Sequence, residues 1–557
     1  MRNFQIIILF LILNLLNLLP LSKHSWANPK PYTYRFSLAN AITSLDPQTT
    51  ADIYSTAVQS LTYEGLYEYQ FNSSPLKLQP ALAAKMPLIS PDGRTYTITL
   101  KSGIRFQDDP CFVETKGRGR EFQASDVVKT LERLSHPSTA SPSFGEIAHI
   151  IEGAQDFHDG KTKTISGVKA IDKLKVQFQL TKPFPRFTNW LAMIHAAILP
   201  VECVAYYKDE WPNHSVGTGA FRITSFNRLQ VVAVKNIRFR GQSYKGHRLP
   251  LVDRVEVEVI PEENTRWMKF KAGQIDTVQV PRDSFDDMKQ LVETKNIQHF
   301  SQTKSDVVFL YINLRDKTFA ENIALRQALA LSLDKEELIR ISFGGPQGAR
   351  KAESILPPHI GGAITGFRSR WKGPDLDQAR KLIAQAGYPN GKGLPEIVFT
   401  DAANTLNRQV AEAISRQWAK IGLRVSPQLL AWPELTERRK QGLFSVSLYS
   451  WVSDYSDADN HLQIFTKKSF PPHGVNYSGF SNDQYDRLVE DISQMKDGPI
   501  RKKAITEALD ILDAQLPLIP LAHRIGNRLF QPWVKNGSFV EETLQGAWVK
   551  YRGVSHY

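Results

Sequence analysis

The densest run of potential ligand groups in the chain is Asp454-Tyr455-Ser456-Asp457-Ala458-Asp459-Asn460-His461, whose carboxylates, amide and imidazole have the chemistry to surround a cation. Read as a calcium loop from Asp454, it puts Asp459 where the sharp turn requires glycine and Phe465 where a bidentate glutamate belongs. No metal is expected there. The run Gly387-Tyr388-Pro389-Asn390-Gly391-Lys392-Gly393 is one residue short of a phosphate loop and has Gly393 in place of the metal-binding hydroxyl, so it reads as a turn. Gly217-Thr218-Gly219 lacks the third glycine of a dinucleotide fingerprint. HExxH and GxSxG are both absent, and no nucleophile-base or paired-carboxylate constellation can be located. The chain is therefore not expected to be an enzyme.

Whatever these residues do, alternating strands and helices must position them. Residues 95–100 set Tyr96, Ile98 and Leu100 against threonines, and residues 173–180 set Leu174, Val176, Phe178 and Leu180 against polar neighbours. Val255, Val257 and Val259 alternate with Glu256 and Glu258, which predicts another half-exposed strand. Helices gather in the second half. Asp375 caps a stripe of Leu376, Ala379, Ile383 and Ala386 that Gly387 stops, and Val410, Ile414, Trp418 and Ile421 form a second stripe ended by Gly422. Asp334 and Glu337 have capping-box spacing ahead of Leu338 and Ile341. These stripes predict core, and the alternation predicts an α/β or α+β protein.

The N-terminus predicts export. Arg2 precedes an almost unbroken apolar run at residues 4–13, and Ser25-Trp26-Ala27 offers a cleavage site, taken here after Ala27. Asn14, Asn17 and Pro20 interrupt the run's second half, which leaves it short of the ~20 apolar residues a membrane span needs. No cysteine near the cleavage point can accept a lipid, so a free periplasmic protein is expected. The formal charge of +13 falls to +11 without Arg2 and Lys23. Its basic residues are scattered among acids, which points to solubility and away from a nucleic-acid partner. The two cysteines, Cys111 and Cys203, are compatible with a disulfide or with two buried thiols. Export makes the bridge the expectation.

In their order along the chain, a series of short motifs resembles extracellular solute-binding protein family 5, the peptide and nickel type receptors of ABC importers. They begin with Ser44-Leu45-Asp46-Pro47, Tyr63-Glu64-Gly65-Leu66-Tyr67 and Pro80-Ala81-Leu82-Ala83. They continue through Ser90-Pro91-Asp92-Gly93, Gly103-Ile104-Arg105-Phe106, Ala124-Ser125-Asp126-Val127-Val128 and Val216-Gly217-Thr218-Gly219-Ala220-Phe221. Leu325-Arg326-Gln327-Ala328-Leu329, Ala386-Gly387-Tyr388, Trp451-Val452-Ser453-Asp454-Tyr455 and Asn476-Tyr477-Ser478 complete the series.

The resemblance implies an α/β protein with the two-lobed periplasmic-binding-protein fold, type II, three-domain peptide-binding subclass. Lobe one would comprise residues 28–70, 201–302 and 516–557, with an extra domain at 71–200, and lobe two residues 303–515. Hinge strands would lie near residues 301–305 and 515–518. It also implies a monomeric receptor without a cofactor that hands a peptide-like solute to the inner-membrane permease subunits of an ABC importer. A receptor for a nickel chelate, haem or sugar is the alternative within the fold, and a secreted hydrolase the alternative outside it.

In peptide-binding members the ligand backbone pairs with a strand from each lobe. The corresponding positions are Ala51, Asp52 and Ile53 on one side and Ser450, Trp451 and Val452 on the other. Asp454 matches the aspartate that takes the ligand ammonium group, and Tyr311 and Asn313 are expected to face the cleft. The arginines that hold a ligand carboxylate in related receptors are replaced here by Leu448 and fall near Asp401. A plain dipeptide or tripeptide therefore fits poorly, and a longer, modified or cationic ligand fits better.

Overall fold

The computed structural model of the protein describes residues 32–50, 52–73, 76–240, 242–472, 474–538 and 545–554. The expected signal segment and Ala51 lie outside the described residues.

The valine alternation becomes the strand Arg254–Val259, in which Val255 and Val257 are buried while Glu256 and Glu258 stay partly exposed. It runs parallel to Thr33–Leu38 and antiparallel to Gln230–Lys235, with Phe221–Phe226 at the far edge of the sheet. A second sheet, antiparallel throughout, orders Leu88–Ile89, Thr95–Thr99, Lys175–Gln179 and Val168–Asp172. Its register sets Tyr96 opposite Phe178 and Ile98 opposite Val176, all four buried, so the alternation read from the sequence becomes one core face. The helix Ala124–Ser135 packs against this sheet. The same core contains the Cys111–Cys203 disulfide, whose Cα atoms are 4.9 Å apart. Closing a loop of this length removes unfolded-state entropy worth about 4.6 kcal/mol in the chain-entropy picture.

The largest sheet is built around Asp306–Ile312, every residue of which is buried. It lies antiparallel between Val446–Val452 and the long strand Leu518–Phe530. The predicted helices flank it. Asp375 caps Leu376–Gln385 by accepting from the Gln378 N–H, and Val410, Ile414 and Trp418 are buried on Thr405–Ala419. Asp334 caps Lys335–Phe343, accepting from the N–H groups of Glu336 and Glu337. The expected capping box is only half made. Gln417 Oε1 takes the Asp334 N–H and Gln417 Nε2 holds Glu337, so a neighbouring helix supplies the missing contact.

Leu518–Phe530 joins two parts of the molecule. Its first residues, Leu518 to Ala522, pair with Asp306–Ile312, and from Ile525 onward it pairs with Gln298–Thr303. The chain also crosses between Thr303 and Asp306, so the two crossings lie side by side. The second crossing lies further along the chain than residues 515–518. Leu518 is already paired with Tyr311 inside the large sheet, and the partner switch comes at Ala522 to Ile525.

Candidate functional site

The strand Val446–Val452 pairs along its whole length with Asp306–Ile312, but its other edge is covered only at Val446 and Ser447, by Phe399 and Thr400. The cause is Arg439. Its Nε donates to Ser447 Oγ (2.9 Å) and its Nη2 to the Leu448 carbonyl (2.6 Å), wedging a guanidinium where the ladder would continue. From Tyr449 to Val452 that edge has no strand partner among the described residues. An open edge is what an extended ligand backbone can extend.

Past the edge the chain turns through Ser453 and Asp454 and enters the short helix Ala458–Leu462, which Asp457 caps. Asn460 on this helix orders the turn. Its Oδ1 accepts from Trp451 Nε1 (3.0 Å) and from the Asp454 N–H (3.1 Å), and its Nδ2 donates to Asp454 Oδ2 (2.9 Å). The other carboxylate oxygen of Asp454 has no protein partner among the described residues, and the residue opens onto a cavity.

Two adjoining chambers meet at Val452, Ser453 and Asp454, together with Ile53 and Tyr69 from the opposite wall. They measure about 260 and 340 Å³, the small end of the range for organic ligands. The first is lined by Tyr63, Glu64, Glu146, His195 and Lys550 among others. Glu64 is paired with Arg240, and Glu68 accepts from Lys550 at 2.6 Å. Glu146 has no cationic partner among the described residues. It accepts only from Trp190 Nε1 at 3.0 Å, and desolvation, with Asp454 adding repulsion, pushes its carboxyl up to about 7. The side chain is 43 % exposed because it opens onto the chamber, although protein surrounds it. His195 lies 3.4 Å away, but burial lowers its imidazole to about 4, so it is neutral and its Nε2 forms no hydrogen bond. Asp454 is likewise raised by desolvation, against the pull of the Asn460 hydrogen bond. The first chamber is therefore short of positive charge.

The second chamber has the opposite character, with Arg266, Arg524 and Arg528 in its wall. A third cavity of about 560 Å³ lies beyond the Arg439 wedge and contains Leu448 and Asp401. Burial pushes Asp401 up to about 6, with Arg439 at 3.9 Å pulling the other way.

Comparison with known proteins places this arrangement. The family model described as bacterial extracellular solute-binding proteins, family 5 Middle, matches residues 77–471. The chain belongs to this family. Similar relatives of this solute-binding protein include "Heme-binding protein A" of Haemophilus influenzae, 28 % identical over 86 % of this chain and 85 % of the relative. Another is the "Glutathione-binding protein GsiB" of Salmonella paratyphi A, 26 % identical over 87 % and 88 %. Among solved structures, the ABC transporter-associated periplasmic binding protein DppA from Helicobacter pylori, in complex with peptide STSA, superposes with a TM-score of 0.75. It is 24 % identical and the match covers 94 % of this chain and 98 % of that one, which shows the two-lobed fold.

In this solute-binding protein the residues singled out by sequence divide into two groups. Ser450, Trp451, Val452 and Asp454 are brought together at the open edge, and Val452 is 47 % exposed. Ala51 lies outside the described residues. Asp52 and Ile53 do not form a strand. Asp52 caps the helix Ile53–Thr62, its Oδ1 accepting from the N–H groups of Tyr54 and Ser55, and Ile53 is the first helical residue, reaching the chambers with its side chain alone. Tyr311 and Asn313 do not face the cleft. Tyr311 is fully buried among aromatic rings with its hydroxyl donating to the Val475 carbonyl, and Asn313 donates to the carbonyls of Gly442 and Phe444. Tyr311 lies in a strand with both faces buried, and Asn313, just beyond it, is spent on those two carbonyls.

The acidic run likewise splits. Asp457 accepts from Arg186 Nε at 2.7 Å and is paired with Arg501. Burial favours protonation of Asp457, but the two guanidinium groups outweigh it and hold the carboxyl low. Among the described residues no cluster of three His, Cys, Asp or Glu could hold a metal. Sequence reasoning did not single out Asn460, Glu146, Arg439 or Arg528. Of these only Asn460, inside the acidic run, had a local signal.

Proposed function

We propose that this protein is an exported receptor that closes over a peptide-like solute and delivers it to an ABC importer. The observation that carries this reading is Asp454: a carboxylate oriented by Asn460, with one oxygen open to the cavity, directly after an unpaired strand edge. The edge offers backbone hydrogen bonds to an extended ligand, and the carboxylate offers a charge-assisted bond to its α-ammonium group. Glu146 faces the same chamber and shares that cation. A ligand ammonium would keep both carboxylates ionised, which ties cleft closure to the ligand's charge. Relatives named for glutathione and solved with a peptide support the reading, since both ligands are peptides with a free amine. Export and cleavage after Ala27, a monomeric state, and permease subunits as partners complete it. The lobes would move about the paired crossings at residues 303–306 and 522–525.

Denaturing the protein purified from its native host and identifying the released molecule by mass spectrometry tests this function. A stoichiometric solute with a free amine and amide bonds is expected. Release of haem or of a metal chelate without an amine would overturn it.

A further inference from the structure

Buried cations without a carboxylate, such as Arg326 and Lys335, donate to backbone carbonyls, whereas the Arg528 side chain in the second chamber has no hydrogen bond among the described residues. Arg528 is only 6 % exposed, and no carboxylate among the described residues pairs with it. Its Nε has no hydrogen-bond partner. The other arginines in the wall are committed: Arg524 donates from Nε to Asp306 Oδ2 at 2.6 Å, and Arg266 donates to the carbonyls of Ile260 and Pro261. Asp306 is in turn buried and engaged by Arg524 through both oxygens, so it cannot neutralise a second cation.

Two neighbours bear on this site. Gln279, opposite Arg528 in the strand register and in the same chamber wall, leaves its side-chain oxygen unpartnered, an acceptor open to a donor group of the solute. Behind Arg528 lies a second buried guanidinium, Arg552, pushed down to about 10 mainly by burial, with Arg528 adding repulsion. Arg552 is satisfied by the Asn536 carbonyl and Ser538 Oγ, not by an acid. A buried cation without a counter-charge is costly, and a cavity at its side is where a counter-charge would enter.

We infer that the second chamber is an anion subsite in which Arg528 takes a carboxylate of the bound solute. Resting on the reading of Asp454 as the ammonium site, this makes the cleft bipolar: the ligand's cation lies at the Asp454 junction and its anion in the Arg528 chamber. It also answers the loss of an arginine at Leu448 and Asp401. The carboxylate is held from the strand Leu518–Phe530, in a chamber that adjoins the Arg439 cavity at Val452 and Arg524. The solute would be a zwitterion or an acidic peptide.

The test uses the full mature chain, the parent and Arg528→Met, with two probes: tetra-alanine as free acid and as C-terminal amide, titrated by calorimetry. The parent should bind the acid at least tenfold more tightly than the amide, and Arg528→Met should bind both alike. Equal binding of acid and amide by the parent overturns the subsite while leaving the peptide reading intact. An unchanged acid preference in the variant overturns the assignment to Arg528. If neither peptide binds, melting in acetate or phosphate against chloride at matched ionic strength decides. Stabilisation of the parent but not of Arg528→Met upholds the anion subsite and sinks the peptide reading, and no difference overturns the subsite. Acetate acting without phosphate identifies a carboxylate, and the reverse identifies a phosphoryl group. Arg528→Met should melt no lower than the parent, because it removes an uncompensated charge. Should it fail to fold, Arg528→Lys takes its place, with an acid preference reduced but present.

Discussion

Asp454 and Asp457 stand in the same turn and have opposite fates. Asp457 lies in the seam where residues 182–186 meet the turn and the helix Pro499–Gln515, and it is saturated by Arg186 and Arg501. Lys182 and Glu490 form a second pair across the same seam. Asp454 faces the chambers with one oxygen bound to Asn460 and the other open. In the seam Asp457 is held low by two guanidinium groups, and in the chamber Asp454 and Glu146 are pushed up by desolvation. The contrast separates charges that hold the molecule together from charges kept available for a ligand.

The largest expected effect breaks the seam. Asp457→Ala leaves the buried Arg186 and Arg501 only the exposed Asp497 as a shared carboxylate, and truncating one member of a buried pair costs about 3–5 kcal/mol. Urea unfolding monitored by tryptophan fluorescence should show that loss. An unchanged midpoint would mean the seam is solvated and the contrast with Asp454 is empty.

Next is Asp454→Ala, which should leave the unfolding midpoint within about 0.5 kcal/mol of the parent, as for a substitution that breaks no protein pair of consequence. Ligand affinity should fall by about 2–5 kcal/mol, the cost of stranding a charge in a closed site. Affinity of Asp454→Ala within about twofold of the parent, read by calorimetry, would mean that Asp454 does not hold the ligand cation.

A smaller effect concerns pH. Glu146 is raised, so in the empty chamber it keeps its proton until pH approaches about 7. A ligand cation binds the ionised form, so binding expels a proton and affinity should rise between about pH 5 and 8. His195, neutral above about pH 4, contributes no opposing step in that window. Glu146→Gln should flatten this part of the profile, and titrations in buffers of different ionisation enthalpy should show the proton release disappear.

The smallest effect checks the reassigned residue. Asp52→Ala removes a helix cap and should cost about 1 kcal/mol of stability with ligand affinity unchanged. A loss of affinity in that variant would return Asp52 to the ligand site.

These residues also mark how far the sequence could be read. Val255, Tyr96 and Trp418 were legible because each repeats with the period of its own element, and burial follows the period. The strand with Trp451 and the position of Asp454 followed from motif order. Asp52 was misread, although an aspartate followed by a helical stretch carries its own capping signal, because alignment to a strand outweighed local chemistry. Tyr311 and Asn313 lie on and just after a run with both faces buried, where alternation gives no direction. Arg528, Glu146 and Arg439 could not be found locally at all. Their significance is a missing or displaced partner, and partnership is decided by strands and helices far apart in the chain.

The central claim is that charges without partners at the cleft walls select the solute. It is tested most directly by calorimetry of the co-purified ligand against the same molecule with its amine acetylated. The free amine should bind on the order of thirtyfold more tightly, equivalent to about 2 kcal/mol. Binding of the two forms within about twofold of each other would contradict the assignment of Asp454 and the account built on it.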